Sequence, residues 1–379
     1  MTPKDRMRTA MDLRVPDRVP LMCQLSIGHM LQQLKVSPVE FWFDKDIFVD
    51  GLTALRNLYH FDGILISLHG HDPDWRKQIV KVAKDENGES VYWKNGDVTY
   101  FPDDELPEHH PAKQILKPSF QDFEPDSLPE GISFIPVSQG IEFAIHPEHA
   151  YDVFVDIADK ARRYSIHGEI TSPFDYFLNL FGHQEALLGL IDDPEKCHRI
   201  LQRYTDGIKK LATGMCEHGV DAIKISSPFS GSGFISRKFY REFVLPYERQ
   251  LAEEIRARGV HVYAHVCGAI DDRLEDIVDS GVSGIECLDP PPLGNVELAD
   301  AKRRIGRRAF IKGNIDSVNI LLSGSRDDVF RDAMQRLEEG MPGGGYILST
   351  ACSVAPHVPR DNMLVLHEVV EKYGWYRNE

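Results

Sequence analysis

His265-Val266-Cys267-Gly268 closes one short β-like run, and Cys352 follows another directly in Ser349-Thr350-Ala351-Cys352. Along an extended strand, residues i and i+2 face the same side, so the His265 imidazole and the Cys267 thiolate can address one point at a strand's end. If both runs end at the same place, Cys352 supplies a third soft or borderline donor. One His with two Cys suits Zn²⁺, and three protein ligands leave a fourth position open for chemistry. Cysteine is also among the most buried residue types, so space filling is the competing explanation for each thiol.

Glu286 ends a neighbouring run and has three candidate roles: a fourth ligand, a general base near the metal, or a salt-bridged carboxylate. Its neighbour Cys287 is expected to point the other way, because side chains alternate along a strand. Cys23, Cys197 and Cys216 read as structural.

The elements that must position these residues are eight β-rich runs separated largely by helical stretches. They are Arg18–Gln24, Asp62–Ser67, Ile166–Thr171, Asp221–Ser226, His261–Val266, Gly284–Leu288, Ala309–Gly313 and Tyr346–Thr350. Most are short apolar runs without strict alternation, as expected of parallel strands buried on both faces. Eight such runs with helical crossovers predict a closed (β/α)8 barrel of the TIM type, where the ends of distant strands converge on one mouth. Asn314 and Asp316, just past the seventh run, and His69 and His71, just past the second, then become candidates for substrate contacts. Turn formation is the competing explanation for Asn314 and Asp316, and a plain loop position for the histidines. Gly343-Gly344-Gly345 precedes a strand rather than a helix, so it reads as a turn and not a phosphate cradle.

Helices are predicted from Ser236 to Arg258, capped by Ser236, ended by Gly259 and kinked at Pro246, and from about Asp327 to Glu339. The chain reads as one barrel domain over residues 1–379, with an insertion at about 72–133 between the second and third strands. There, Gln78–Lys84 and Ser90–Phe101 flank Glu86-Asn87-Gly88 as a hairpin, followed by a stretch rich in proline and acid. A lid or a subunit contact are the two roles open to it.

The 379 residues carry 59 acidic and 43 basic side chains, a formal charge of −16. That balance, without a basic face, argues against nucleic acid as a partner. No run of about 18 unbroken apolar residues exists to span a membrane. Six sparse cysteines with no apolar leader point to a reducing cytoplasm rather than a disulfide framework.

The chain resembles the uroporphyrinogen decarboxylase superfamily over nearly its whole length. The resemblance is carried by Arg14-Val15-Pro16-Asp17-Arg18-Val19-Pro20, by Phe243-Val244-Leu245-Pro246-Tyr247 followed by His265-Val266-Cys267-Gly268, by Lys312-Gly313-Asn314-Ile315-Asp316, and by Gly344-Gly345-Tyr346-Ile347-Leu348-Ser349. It implies the same barrel, and it offers two chemistries. The decarboxylase branch uses no metal and clamps a carboxylated tetrapyrrole with arginines after the first strand. Here that stretch is Met22-Cys23-Gln24-Leu25-Ser26. The corrinoid-linked methyltransferase branch carries His-X-Cys and a later Cys as zinc ligands, which by residue match implies His265, Cys267 and Cys352. The expected activity is therefore methyl transfer between a corrinoid and a small substrate, either methylation of a thiol or demethylation of a methoxylated compound. A metal-free decarboxylase is the alternative. No Asp-X-His-X-X-Gly signature for cobalamin is present, so the corrinoid is expected on a separate carrier protein. Barrels of this superfamily often dimerise, which leaves a homodimer open.

Overall fold

The computed structural model describes residues 1–113, 116–137 and 140–376; residues 114–115 of the expected insertion lie outside them. Strand β1 (Gly63–Ile66) is followed by an antiparallel four-stranded sheet, β2 (Ile79–Lys84), β3 (Gly88–Trp93), β4 (Val98–Pro102) and β5 (Glu108–His110), then by a pair, β6 (Phe134–Pro136) and β7 (Glu142–Ala144). Parallel strands then resume with β8 (Ser165–Thr171), β9 (Ala222–Ser226), β10 (His261–Val266), β11 (Gly284–Cys287), β12 (Phe310–Ile315) and β13 (Tyr346–Thr350). The parallel sheet runs β1-β8-β9-β10-β11-β12-β13, curled as a TIM-type barrel.

The first run, Arg18–Gln24, does not become a full strand. Segment 18–25 fills the gap between β13 and β1 through isolated parallel bridges, Leu21 to Leu348 and Leu25 to Val354, while the Leu21 carbonyl accepts from Asp62 N at 2.8 Å. Pro20 has no N–H to give a ladder, and the Leu21 N–H goes to the Asp62 carboxylate at 2.8 Å. Asp62 also takes Arg6 at 2.6 Å and lies 3.5 Å from Arg18, all three buried, so one carboxylate ties the first helix and segment 18–25 to the start of β1.

The insertion departs from the expected hairpin in one respect. Its second limb folds back at Lys94–Asp97, where Asn95-Gly96 makes a second turn and Gly96 sits at φ +93°. Two strands therefore replace one. The expected helix from Ser236 is broken into Arg237–Phe239, a π-turn over Tyr240–Val244 and Leu245–Arg256. Pro246 near the start of the last piece cannot donate into the preceding turn. No helix among the described residues is long and apolar enough to cross a membrane.

Candidate metal centre

The candidate donors stand on three strand ends at one mouth. His265 is the penultimate residue of β10, and Cys267 follows its last residue. Glu286 and Cys287 are the last two residues of β11, and Cys352 lies two beyond β13. Pairing places His265 beside Glu286, and Glu286 beside Lys312 on β12. His265 Nε2 is 3.2 Å from Cys267 Sγ, which is 3.7 Å from Cys352 Sγ. In a tetrahedral zinc site with Zn–S near 2.3 Å, two sulfurs are about 3.8 Å apart. The spacing and the donor set fit zinc.

Cys287 corrects the expectation that it points away. Its sulfur belongs to the same cluster, in which one donor atom from each of His265, Cys267, Cys287 and Cys352 lies within 4.8 Å of the others. The cause is backbone: Cys287 and Leu288 adopt φ +85° and +55°, which ends the alternation of β11 and turns the Cys287 side chain into the mouth. Two left-handed non-glycine residues cost on the order of 1–3 kcal/mol each and persist only where neighbours over-determine them. Two neighbours do so here. A Cβ on Gly313, opposite Cys287, would lie 2.7 Å from the Cys287 carbonyl, and Asn314 Nδ2 donates to the Leu288 carbonyl at 2.9 Å.

Glu286 is neither a member of the donor cluster nor a free base. Its Oε2 accepts from His265 Nδ1 at 3.0 Å, its Oε1 pairs with Lys312 Nζ, and Lys224 Nζ stands 4.0 Å away. Burial alone would raise its pKa, but the two lysines and His265 outweigh it and hold the carboxyl well below its usual range. Lys224 is itself spoken for by Glu169 and Gln24, each at 2.8 Å. Contacts from Cys267 and Cys287 hold the Cys352 thiol well below its ordinary range. Burial pushes the Cys287 thiol well up, and its S–H donates to Asp289 Oδ2 at 3.2 Å. Asp289 also takes the Gly268 N–H at 2.6 Å.

Of the remaining expected site residues, Asp316, Asn314 and His69 each bond to neighbouring backbone. Asp316 caps the turn Ser317–Leu322, accepting from Val318 N and Asn319 N at 2.9 and 2.8 Å. Asn314 serves the Leu288 turn, although its buried Oδ1 lacks a partner among the described residues. His69 is fully buried with its Nδ1 on the Ala150 carbonyl at 2.9 Å. The sequence signal for both lysines is a charge inside an apolar strand, in Ile223-Lys224-Ile225 and Ile311-Lys312.

A protein-family model described as uroporphyrinogen decarboxylase (URO-D) matches residues 148–373. The chain belongs to that family. Within it, the chain is 28% identical over 194 residues to a methylated-thiol–coenzyme M methyltransferase of Methanosarcina mazei, covering 51% of this chain and 49% of that protein. It is 29% identical over 208 residues to a methylcobamide:CoM methyltransferase of Methanosarcina barkeri, covering 55% and 58%. The alignments thus span about half the length of these curated relatives. A solved methyltransferase from M. mazei superposes with a TM-score of 0.73 at 17% identity, over 98% of this chain and 99% of that one, which places the URO-D chain in the same fold.

Proposed function

We propose that this URO-D family chain is a zinc-dependent methyltransferase, moving a methyl group between a corrinoid on a separate carrier protein and a small substrate. The observation that carries the reading is the triangle of His265 Nε2, Cys267 Sγ and Cys352 Sγ at the barrel mouth. Zinc there would keep a substrate thiol as its nucleophilic thiolate at neutral pH, or polarise a methoxy oxygen.

The chain's own residues do the rest. Glu286, held ionised by Lys312 and Lys224, keeps the proton on His265 Nδ1 and aims Nε2 at the sulfurs. Asp289 accepts the Cys287 S–H, so Cys287 stays protonated and leaves the fourth position to substrate. In thiol methylation the substrate sulfur bonds to the methyl carbon as the cobalt–carbon bond breaks, and that electron pair stays with the corrinoid. The activities of the two Methanosarcina relatives favour a thiol over a methoxylated substrate. A metal-free decarboxylase has less support: Arg6 and Arg18 are committed to Asp17 and Asp62 rather than to a substrate. Six free thiols suit a reducing cytoplasm.

The test is single: zinc-loaded chain with methylcobalamin and 2-mercaptoethanesulfonate. Thioether should form with zinc and not after chelation. Absence of transfer to any thiol or from any methoxylated arene, with decarboxylation of a porphyrinogen instead, would overturn the reading.

A further inference from the structure

A second cluster of ligating side chains lies away from the cysteines. His146, Glu148 and His149 each place one donor atom within 4.8 Å of the others. Glu148 and His149 sit on the short turn Pro147–His149 and His146 immediately precedes it, between β7 and the helix Asp152–Lys160. Pro147 fixes φ at the start of the turn, so the three side chains are projected from a pre-organised backbone.

Two independent features point to an ion. His149 Nδ1 donates to Asp152 Oδ2 at 2.8 Å, which leaves Nε2 as the free ligand; this carboxylate–histidine pairing accompanies metal-binding histidines. His146 Nδ1 is buried and has no hydrogen-bond partner among the described residues, although buried ring nitrogens are ordinarily satisfied. The two rings stand 4.9 Å apart at 45°, close enough to share one ion. The platform is also anchored. His146 N–H bonds the Gly70 carbonyl at 2.8 Å, and Gly70, at φ +82°, has no room for a side chain because Ile145 Cγ2 would lie 2.6 Å from its Cβ.

We propose that His146, Glu148 and His149 form a second divalent-metal site. Two imidazoles and one carboxylate suit Zn²⁺, Co²⁺ or Ni²⁺ rather than Ca²⁺ or Mg²⁺, which prefer all-oxygen shells. The site shares no residue with the cysteine cluster and contains no sulfur. Filled, it clamps the exit of β7 to the helix Asp152–Lys160 and to the loop after β1.

Sulfur makes the two sites separable. Cobalt(II) titrated into the chelator-treated full chain should bind at two equivalents, one giving an intense near-ultraviolet thiolate charge-transfer band and one giving only weak visible bands. His149→Gln and, separately, Glu148→Gln should weaken the band-silent equivalent at least tenfold and leave the charge-transfer band unchanged. The proposal is overturned if wild type binds only the equivalent that gives the band, or if both variants keep two equivalents at wild-type affinity. A single equivalent without the band would uphold this site and count against the cysteine site.

Discussion

Glu286 Oε2 lies 3.0 Å from His265 Nδ1, while the opposite nitrogen of that ring lies 3.2 Å from Cys267 Sγ. One carboxylate therefore sets the tautomer and the aim of the only imidazole in the cysteine cluster, and two buried lysines fix the carboxylate in turn. Glu286→Gln keeps the shape but loses the charge that holds the Nδ1 proton. Zinc affinity, read by competition with a chelating dye, should fall roughly 10- to 100-fold. Unchanged affinity would mean that Glu286 does not orient His265.

Cys₃His is also the donor set of closed structural zinc sites, so the state of Cys287 decides whether a fourth position is open. Its S–H bond to Asp289 argues that it keeps its proton. Cys287→Ser should therefore retain zinc at wild-type stoichiometry. Loss of zinc in this variant would make the site a closed, four-ligand one and remove the place for substrate.

Asp62 joins three pieces of chain at the base of β1. Asp62→Ala removes the buried carboxylate partner of Arg6 and Arg18 and leaves the Leu21 N–H unpaired, although Arg6 keeps Asp17 and Arg18 keeps the Val19 carbonyl. Removing one partner of a buried pair typically costs about 3–5 kcal/mol. Urea unfolding should show a loss of that size; a loss below about 1 kcal/mol would contradict the role given to Asp62.

His71 is wedged against Phe48 and Phe143, with neither ring nitrogen bonded among the described residues. Burial, with a smaller contribution from His69, pushes its pKa down to about 3. Below its ordinary value of 6.5 the unfolded chain takes up a proton that the folded chain refuses. The contribution is therefore intact above pH 6.5 and is lost as pH falls toward 3. His71→Phe should flatten the acid limb of the stability curve by up to about 1.4 kcal/mol per pH unit and leave stability at pH 7.5 within about 1.5 kcal/mol. Parallel curves for the two proteins would refute this.

The barrel, and the convergence of His265, Cys267 and Cys352 at one mouth, were legible because period, strand ends and ligand type agree there. Cys287 was not, since alternation predicts the wrong face and no glycine announces the left-handed turn; the room for it is made on another strand, at Gly313. Segment 18–25 has strand-like composition, but Pro20 and the side chain of Asp62 divert its ladder bonds, and the second diversion is a long-range contact that no local pattern encodes. Asp316 reads in sequence as either a substrate contact or a turn residue, and its carboxylate caps the turn Ser317–Leu322. The pairing of Glu286 depends on Lys312 from the adjacent strand β12 and Lys224 from β9, contacts that no local pattern encodes.

The central claim is that His265, Cys267 and Cys352 hold zinc. Its most direct test is zinc content by elemental analysis after dialysis, on wild type and Cys352→Ser, each in the His149→Gln background so that only this site is counted. The account predicts about one zinc per chain in the first and a small fraction of that in the second. A first protein that remains free of zinc after incubation with it, or a second that keeps a full equivalent, would contradict it.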